Sequence, residues 1–331
     1  GGCQLTPSSR TLWEIQTRLC RLPVESTSNI YVDVLRRREQ SALIGQARRS
    51  KVCDPFSLQA YQAEVRSLFL QCIGGLPQTP PGCAPRLTGR TDCGAYIIER
   101  ILLQPRRGSW ATANVYVPEK HTGPCPAVLI TVGHDDRGKA DPEYQYLAQL
   151  LASAGIIALV LDPLGQGERF EHYELEMDFQ PIQGCSGEHD LLDWKAKLLG
   201  QSVARYFIQD GIAALDYLSA REDVDASRIG LTGHSGGGTQ TSMLMMAAGD
   251  RFACAAPCAY TSDQRAMMET GIDPDNEMLW PGSIAAGLDY VDLVAGVAPR
   301  PVLFLTNRHD FFPREGTMRT LADARALWQA C

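Results

Sequence analysis

The sequence lacks long apolar runs, an excess of positive charge and cysteines with the spacing of a metal site. No run approaches the roughly 18 consecutive apolar residues that a membrane-spanning helix requires. Among 331 residues, 31 Lys and Arg stand against 38 Asp and Glu, which gives a formal net charge of −7. A protein that binds by neutralising phosphate groups usually carries the opposite sign. We therefore expect neither a membrane span nor a nucleic-acid partner.

The eleven cysteines do not have the spacing of a metal site. The two closest pairs, Cys83 with Cys93 and Cys254 with Cys258, form no CxxC motif. The second pair lies in an apolar run, where cysteine commonly acts as a small buried hydrophobe. We predict no metal and no cofactor. One or two disulfides, as in an exported protein, are the alternative.

The second half of the sequence alternates short apolar runs with segments of helical periodicity. The apolar runs are 127–132, 156–161, 229–232, 253–256 and 302–305. The helical segments are 144–153, 198–219, 236–248 and 285–295. Continuous apolar runs are typical of parallel strands that are covered on both faces. The pattern predicts an α/β fold with a mostly parallel, doubly wound sheet, and functional groups at the carboxyl ends of its strands.

The first part of the chain has a different pattern. Basic runs among polar residues are followed by one segment of helical periodicity and by a Pro-Gly stretch at 79–82. We predict a helical N-terminal extension and linker over 1–80, and the main domain over 81–331. Within that domain, the segments 95–103 and 111–117 are separated by a turn, which predicts an antiparallel hairpin at its start.

The strongest chemical signal is a Gly-x-Ser-x-Gly motif centred on Ser235, between the apolar run 229–232 and the helical segment 236–248. Such a turn holds the serine oxygen above the sheet edge, next to a helix N-terminus that favours an oxyanion. The alternative is a glycine-rich turn or a phosphate cradle, but no Gly-x-Gly-x-x-Gly follows the first parallel run and no P-loop Lys-Ser or Lys-Thr pair is present. We predict that Ser235 is a nucleophile and that the Gly236 N–H is an oxyanion donor.

A nucleophilic serine needs a histidine that takes its proton and an acid that orients this histidine. Asp310 follows the apolar run 302–305, and we predict that it is the acid; a helix cap or a loop ion pair is the alternative. The loop after the first parallel run is expected to supply a second oxyanion donor, from the backbone near His134 or Asp135. A purely structural role for these two residues is the alternative.

The sequence offers no suitable histidine for the base. In this topology the catalytic residues follow one another along the chain in the order serine, acid, histidine, so the histidine is expected after Asp310. None of the remaining 21 residues is a histidine. The last helical segment, 316–331, also ends without a stop signal. We therefore expect the catalytic histidine beyond Cys331, and the last helix and strand of the domain to be missing from the chain. The histidines within the chain fit the role less well: His121, His134, His172, His189, His234 and His309.

Further segments spread over about residues 60–325 share a pattern with a known superfamily. They include Ile73-Gly74-Gly75-Leu76-Pro77, Asp162-Pro163-Leu164-Gly165-Gln166-Gly167, Gly233-His234-Ser235-Gly236-Gly237-Gly238-Thr239-Gln240 and Ala298-Pro299-Arg300-Pro301. Together they resemble the α/β-hydrolase superfamily, and within it bacterial esterases of the acetyl xylan esterase and dienelactone hydrolase-like type. The resemblance implies an α/β-hydrolase fold, Ser235 as the nucleophile and Asp310 as the acid. It also implies acetylated carbohydrates or other short-acyl esters as substrates, and export to the periplasm or the medium.

We expect a serine carboxylic-ester hydrolase that works without a metal or an organic cofactor. One alternative is a peptidase of the prolyl-oligopeptidase type, which usually carries a propeller domain, for which the first 110 residues are too few. The other is a non-catalytic α/β-hydrolase-like binding scaffold. Acyl and alcohol preference and the oligomeric state are not predicted.

Overall fold

A seven-stranded sheet forms the centre of the molecule. The computed structural model describes residues 30–77, 85–120, 123–174, 176, 181–272 and 274–331. In this part of the chain the strands are β1 Arg86–Asp92, β2 Tyr96–Arg106, β3 Ser109–Pro118, β4 Cys125–Thr131, β5 Ile157–Leu161, β6 Val224–His234 and β7 Cys254–Cys258. They lie side by side in the order β1-β2-β3-β5-β4-β6-β7.

The strand directions confirm the predicted fold class. The first three strands form an antiparallel meander, of which β2 and β3 are the predicted hairpin. The strands β5, β4, β6 and β7 are mutually parallel. Residues 302–305 extend the sheet through two parallel bridges, Ala255 with Val302 and Cys258 with Leu305. The edge strand β1 was not predicted, because its seven residues are mostly polar and exposed and show no apolar alternation.

Helices pack on both faces of the sheet. In the described part of the chain they are α1 Ile30–Arg49, α2 Pro55–Cys72, α3 Pro142–Ser153, α4 Gly184–Lys197, α5 Ala204–Ser219, α6 Gly236–Ala247, α7 Gln264–Thr270, α8 Tyr290–Ala295 and α9 Arg314–Trp328. Local signals explain their starts: α2, for example, begins with Pro55 after an Asp54 cap whose carboxylate accepts from the Ser57 N–H.

The single helix predicted over 198–219 is wrong in its first part. Residues 198–203 form the turn between α4, which ends at Lys197, and α5, and the left-handed Gly200 lies in this turn. Leu198 and Leu199, which end up in this turn, are each 72% exposed. The predicted helix began at residue 198, six residues before α5 begins, because apolar residues at helical spacing continue through this turn. The segment predicted over 285–295 is helical only in α8.

The alternating sides of the central strands separate two cores. Leu129 of β4 faces the larger core, in which α2, α5, α6 and α8 pack against the sheet, while its neighbour Ile130 faces a smaller core under α3. Residues of α2 such as Val65 and Phe69 are fully buried in the larger core. The predicted boundary near residue 80 lies in 78–84, outside the described residues, as do residues 1–29 and the predicted linker, so this division stays a prediction.

The eight described cysteines are free thiols. None of the helices in the described ranges has the length and apolar character needed to cross a membrane.

Candidate active site

Ser235 lies in the sharp turn between β6 and α6. Its φ of 56° and ψ of −120° belong to a region that residues other than glycine rarely adopt. The Ser235 N–H donates to the Cys258 carbonyl at the end of β7, over 2.9 Å. The turn therefore holds Ser235, half-buried, at the carboxyl edge of the parallel strands, in the manner of a nucleophile elbow.

Close packing requires the two glycines of the motif. A Cβ atom on Gly233 would lie 2.4 Å from Thr131 Oγ1, and one on Gly237 would lie 2.1 Å from the Thr131 carbonyl oxygen. Neither distance leaves room for a side chain. The Thr131 hydroxyl in turn donates to the Gly237 carbonyl over 2.7 Å, in a fully buried contact. The end of β4 and the start of α6 are thus interlocked around Ser235.

Three polar side chains hold the loop after β4 beside this turn. The Tyr144 hydroxyl accepts from the Gly133 N–H at 2.6 Å. Gln166 donates to the Gly133 carbonyl at 2.6 Å, and Gln240 donates to the Val132 carbonyl at 2.8 Å. Burial raises the pKa of Tyr144 to about 12, so this hydroxyl keeps its proton at neutral pH. These bonds fix the backbone that was predicted to supply the second oxyanion donor.

The predicted oxyanion residues Gly236 and His134 lie side by side. A Cβ atom on Gly236 would lie 2.6 Å from His134 Nδ1, so the imidazole ring packs over the first residue of α6. The first N–H groups of a helix have no partner within the helix and favour an anion. The Asp135 N–H donates to the Gly133 carbonyl at 2.8 Å, and the Asp135 carboxylate pairs with Arg137 at 2.9 Å. Asp135 therefore has partners within its own loop.

Asp310 lies at the same edge of the sheet. Its carboxylate accepts from the Asn307 N–H at 3.0 Å and from the Phe312 N–H at 3.2 Å, which closes the loop after residues 302–305. Burial raises the pKa of the Cys258 thiol, and the charge of Asp310 adds to this effect. Asp310 and Ser235 therefore share Cys258 as a neighbour.

Comparisons with known proteins agree with this architecture. Residues 192–294 match the model of the prolyl oligopeptidase family. YtaP of Bacillus subtilis (strain 168), described as a hydrolase, is 29% identical over 281 residues, covering 81% of this chain and 88% of that protein.

Among solved structures, a Bacteroides fragilis protein described as an acetyl xylan esterase has a TM-score of 0.68 and 20% identity, covering 84% of this chain and 73% of that one. A glucuronoyl esterase from Solibacter usitatus has a TM-score of 0.64 and 17% identity, covering 84% and 82%. The chain has the α/β-hydrolase fold. The resemblance predicted from the sequence motifs is confirmed.

Three of the described histidines, His134, His172 and His189, have side-chain partners other than Asp310. His134 and His189 meet at 3.1 Å beside Glu277. His172 pairs with Glu188 at 2.8 Å. Burial alone would lower the pKa of His134, but its hydrogen bond to Glu277 and the charge of that carboxylate raise it. Within the described ranges no histidine is hydrogen-bonded to Asp310, and the placement of the base beyond Cys331 stays a prediction.

Several residues that shape the site were not predicted. Gln166 and Gln240 lie within segments that carry the α/β-hydrolase resemblance, so the motifs contained them without indicating their role. Tyr144 and Glu277 have no local signal, because their partners lie far away in the sequence. Only the folded loop shows that Tyr144 supports Gly133 and that Glu277 faces two histidines.

Proposed function

We propose that this protein is a serine carboxylic-ester hydrolase. The main support is the position of Ser235, which lies at a positive φ in the turn between β6 and α6. The loop that follows β4 lies next to it and is held by hydrogen bonds from Tyr144 and Gln166 to Gly133. A strained, partly exposed serine at a helix N-terminus is the arrangement that serine hydrolases of this fold use for acyl transfer. The hydrolase and esterase descriptions of proteins similar to this chain support the same reaction class.

In the proposed reaction, Ser235 Oγ attacks the carbonyl carbon of the ester. The Gly236 N–H and a backbone N–H of the loop after β4 stabilise the resulting oxyanion. Because the Asp135 N–H donates to Gly133, we favour the His134 N–H as the second donor. The tetrahedral intermediate collapses and releases the alcohol, and water then hydrolyses the acyl-enzyme. A histidine oriented by Asp310 would move the protons in both steps.

We further propose short-acyl esters, with acetylated carbohydrates among them, as the substrate class. Support comes from the solved structures with the same fold, which include proteins described as an acetyl xylan esterase and a glucuronoyl esterase. Carbohydrate esters outside the cell would also agree with the export that the sequence resemblance implies.

A peptidase is the second candidate, because residues 192–294 match the prolyl oligopeptidase family model. This match covers α5, β6 and α6, the elements around Ser235, which ester and peptide hydrolases of this fold have in common. The leaving group therefore distinguishes the two candidates.

The experiment compares hydrolysis of p-nitrophenyl acetate, p-nitrophenyl octanoate and an amino-acyl p-nitroanilide by the full-length protein. We expect turnover of the acetate, slower turnover of the octanoate, and loss of activity by at least a factor of about 10³ in Ser235→Ala. Ser227→Ala, an exposed serine in the same strand, is the matched control and is expected to keep full activity. Faster cleavage of the anilide than of the acetate would favour the peptidase. Acetate hydrolysis that survives in Ser235→Ala would contradict the proposal.

A further inference from the structure

His134, His189 and Glu277 form a buried side-chain cluster beside the Ser235 turn. His134 Nε2 lies 3.1 Å from His189 Nδ1 and 3.0 Å from Glu277 Oε1. His189 Nδ1 lies 3.6 Å from Glu277 Oε2, and these two side chains are 1% and 2% exposed. The proposed ester hydrolysis uses none of these three side chains. The cluster therefore needs an explanation of its own.

Hydrogen bonds alone do not satisfy this cluster. His189 Nε2 lies 2.7 Å from the Leu164 carbonyl oxygen and donates to it, so neutral His189 presents a lone pair at Nδ1. The Nε2 proton of His134 is then the one donor for both His189 Nδ1 and Glu277 Oε1. Glu277 Oε2 has no hydrogen-bond partner in the described part of the chain. A buried carboxylate oxygen without a partner is costly, and three acceptor atoms that face one another repel.

A single cation would satisfy all of these atoms. In a tetrahedral zinc site with bonds of about 2.0–2.2 Å, the ligand atoms lie about 3.3 Å apart. The two ring nitrogens are 3.1 Å apart, and each has a Glu277 oxygen close to this distance, Oε1 at 3.0 Å from His134 and Oε2 at 3.6 Å from His189. The remaining ring nitrogens also face acceptors, as in metal-bound histidines. His189 Nε2 faces the Leu164 carbonyl, and His134 Nδ1 lies 3.6 Å from Asp275 Oδ2.

We propose that His134 Nε2, His189 Nδ1 and the Glu277 carboxylate hold one divalent cation of the zinc class. Two imidazoles and one carboxylate are ligands that Zn²⁺ accepts, and three protein ligands leave a position for water. The negative charges of Glu277 and Asp275 match a charge of +2. His134 is the more exposed ligand, with 15% of its side chain accessible, and it marks the side from which the ion enters.

The site would link three parts of the chain that are distant in sequence. His134 follows β4, His189 lies on α4, and Glu277 lies on a short turn of helix at Asn276–Met278. Because the His134 ring packs over Gly236, the cation would also hold the loop after β4 against the start of α6. The expectation of no metal rested on cysteine spacing, which carries no information about ligands that only the fold brings together.

Zinc binding by the full-length protein tests the proposal. After treatment with EDTA and its removal, ZnCl₂ is titrated against a chromophoric chelator. We expect one tightly bound Zn²⁺ per chain, and a rise in Tm of about 5 °C at a free zinc concentration 100 times the Kd. Glu277→Gln and His134→Asn should each weaken binding at least tenfold. His172→Gln, which alters a comparable His–Glu pair with Glu188, is the matched control and should leave the affinity unchanged.

X-ray absorption of the zinc-loaded wild-type protein gives a result that does not depend on the folding of any variant. We expect nitrogen and oxygen ligands at about 2.0–2.2 Å. A first shell with sulfur at about 2.3 Å would place the zinc on cysteines and overturn the proposal. Failure of the EDTA-treated wild-type protein to bind zinc stoichiometrically would overturn it as well, and so would variants at Glu277 and His134 that bind as tightly as wild type. None of these readouts depends on ester hydrolysis.

Discussion

Single side chains hold the backbone around Ser235 in place. Tyr144 shows this most directly, because its hydroxyl accepts from the buried Gly133 N–H at 2.6 Å and contacts the His234 carbonyl at 3.5 Å. One phenol group thus connects the loop after β4 to the residue before Ser235. In the proposed reaction, residues of this kind would act through the backbone that they position.

Tyr144→Phe should therefore lower both stability and activity. The substitution keeps the ring but leaves the buried Gly133 N–H without an acceptor, which costs about 1–3 kcal/mol of unfolding free energy. We expect kcat for p-nitrophenyl acetate to fall more than KM changes, because the loop contributes to the oxyanion site. Urea unfolding and steady-state kinetics measure the two effects. Tyr146→Phe, in the same helix but 63% exposed, is the control; equal behaviour of the two variants would contradict the role of Tyr144.

Asp289 is a buried carboxylate whose titration affects stability. It caps α8 by accepting from the Tyr290 N–H at 2.8 Å, and it also accepts from the Gln264 N–H at 2.9 Å. Burial raises its pKa to about 6 despite these bonds, and the charges of Asp263 and Asp292 add to the rise. Between about pH 4 and pH 6 the folded chain therefore holds a proton that the unfolded chain has lost. Through this group the unfolding free energy decreases as the pH rises across that window.

Asp289→Asn should remove this pH dependence while keeping an acceptor oxygen for the cap. Relative to wild type, we expect the variant to gain roughly 2.4 kcal/mol of unfolding free energy between pH 4 and pH 7.5. Urea unfolding at the two pH values measures this change. Asp225, whose hydrogen bonds with Ser227 lower its pKa to about 2, titrates below this window. Asp225→Asn is therefore the control, and its difference from wild type is expected to change little between the two pH values. If the unfolding free energies of Asp289→Asn and wild type differ by the same amount at both pH values, then Asp289 of the folded protein is ionised at both.

At the scale of elements, the site depends on how closely α6 approaches β4. The first turn of α6 consists of glycines, and every residue of this helix is buried. Small residues let the helix start directly against the strand end, which places its first N–H groups beside Ser235. The sequence pattern predicted this turn correctly, because strand, glycine-rich turn and helix are all local features.

Gly237→Ala tests this approach. Its Cβ atom would meet the Thr131 carbonyl oxygen, a backbone atom that cannot rotate away. We expect a loss of about 3 kcal/mol of unfolding free energy and a fall in esterase activity that is larger than the loss of folded protein explains. Gly123→Ala, where a Cβ atom meets nothing within 4 Å, is the matched control. A Gly237→Ala variant as stable and active as the control would show that the turn can accommodate a Cβ atom at this position.

At the scale of the whole molecule, the features that could be predicted from the sequence are those that leave a local pattern in it. The apolar runs gave the parallel strands and their order along the chain, and motif residues around Ser235 gave the fold family. The polar edge strand β1 was not predicted because it has no apolar alternation. The break between α4 and α5 was not predicted because apolar residues at helical spacing continue through it. The His134–His189–Glu277 cluster could not be predicted either, since His134 and His189 are 55 residues apart and Glu277 lies still further along the chain.

Part of the molecular surface remains apolar. Beyond α3, the sheet face over β6, β7 and residues 301–305 lines an apolar groove of about 500 Å³. Leu303 in this groove is 60% exposed. The helices of the described ranges cover the opposite face much more fully, so the two sides of the sheet differ.

Covalent labelling of Ser235 tests the central claim most directly. The full-length protein is incubated with a fluorophosphonate probe, and the modified residue is identified by mass spectrometry of the peptides. We predict one adduct per chain, on Ser235, and no adduct in Ser235→Ala. An unlabelled wild-type protein, or an adduct on another serine with Ser235 unmodified, would contradict the assignment of Ser235 as the nucleophile.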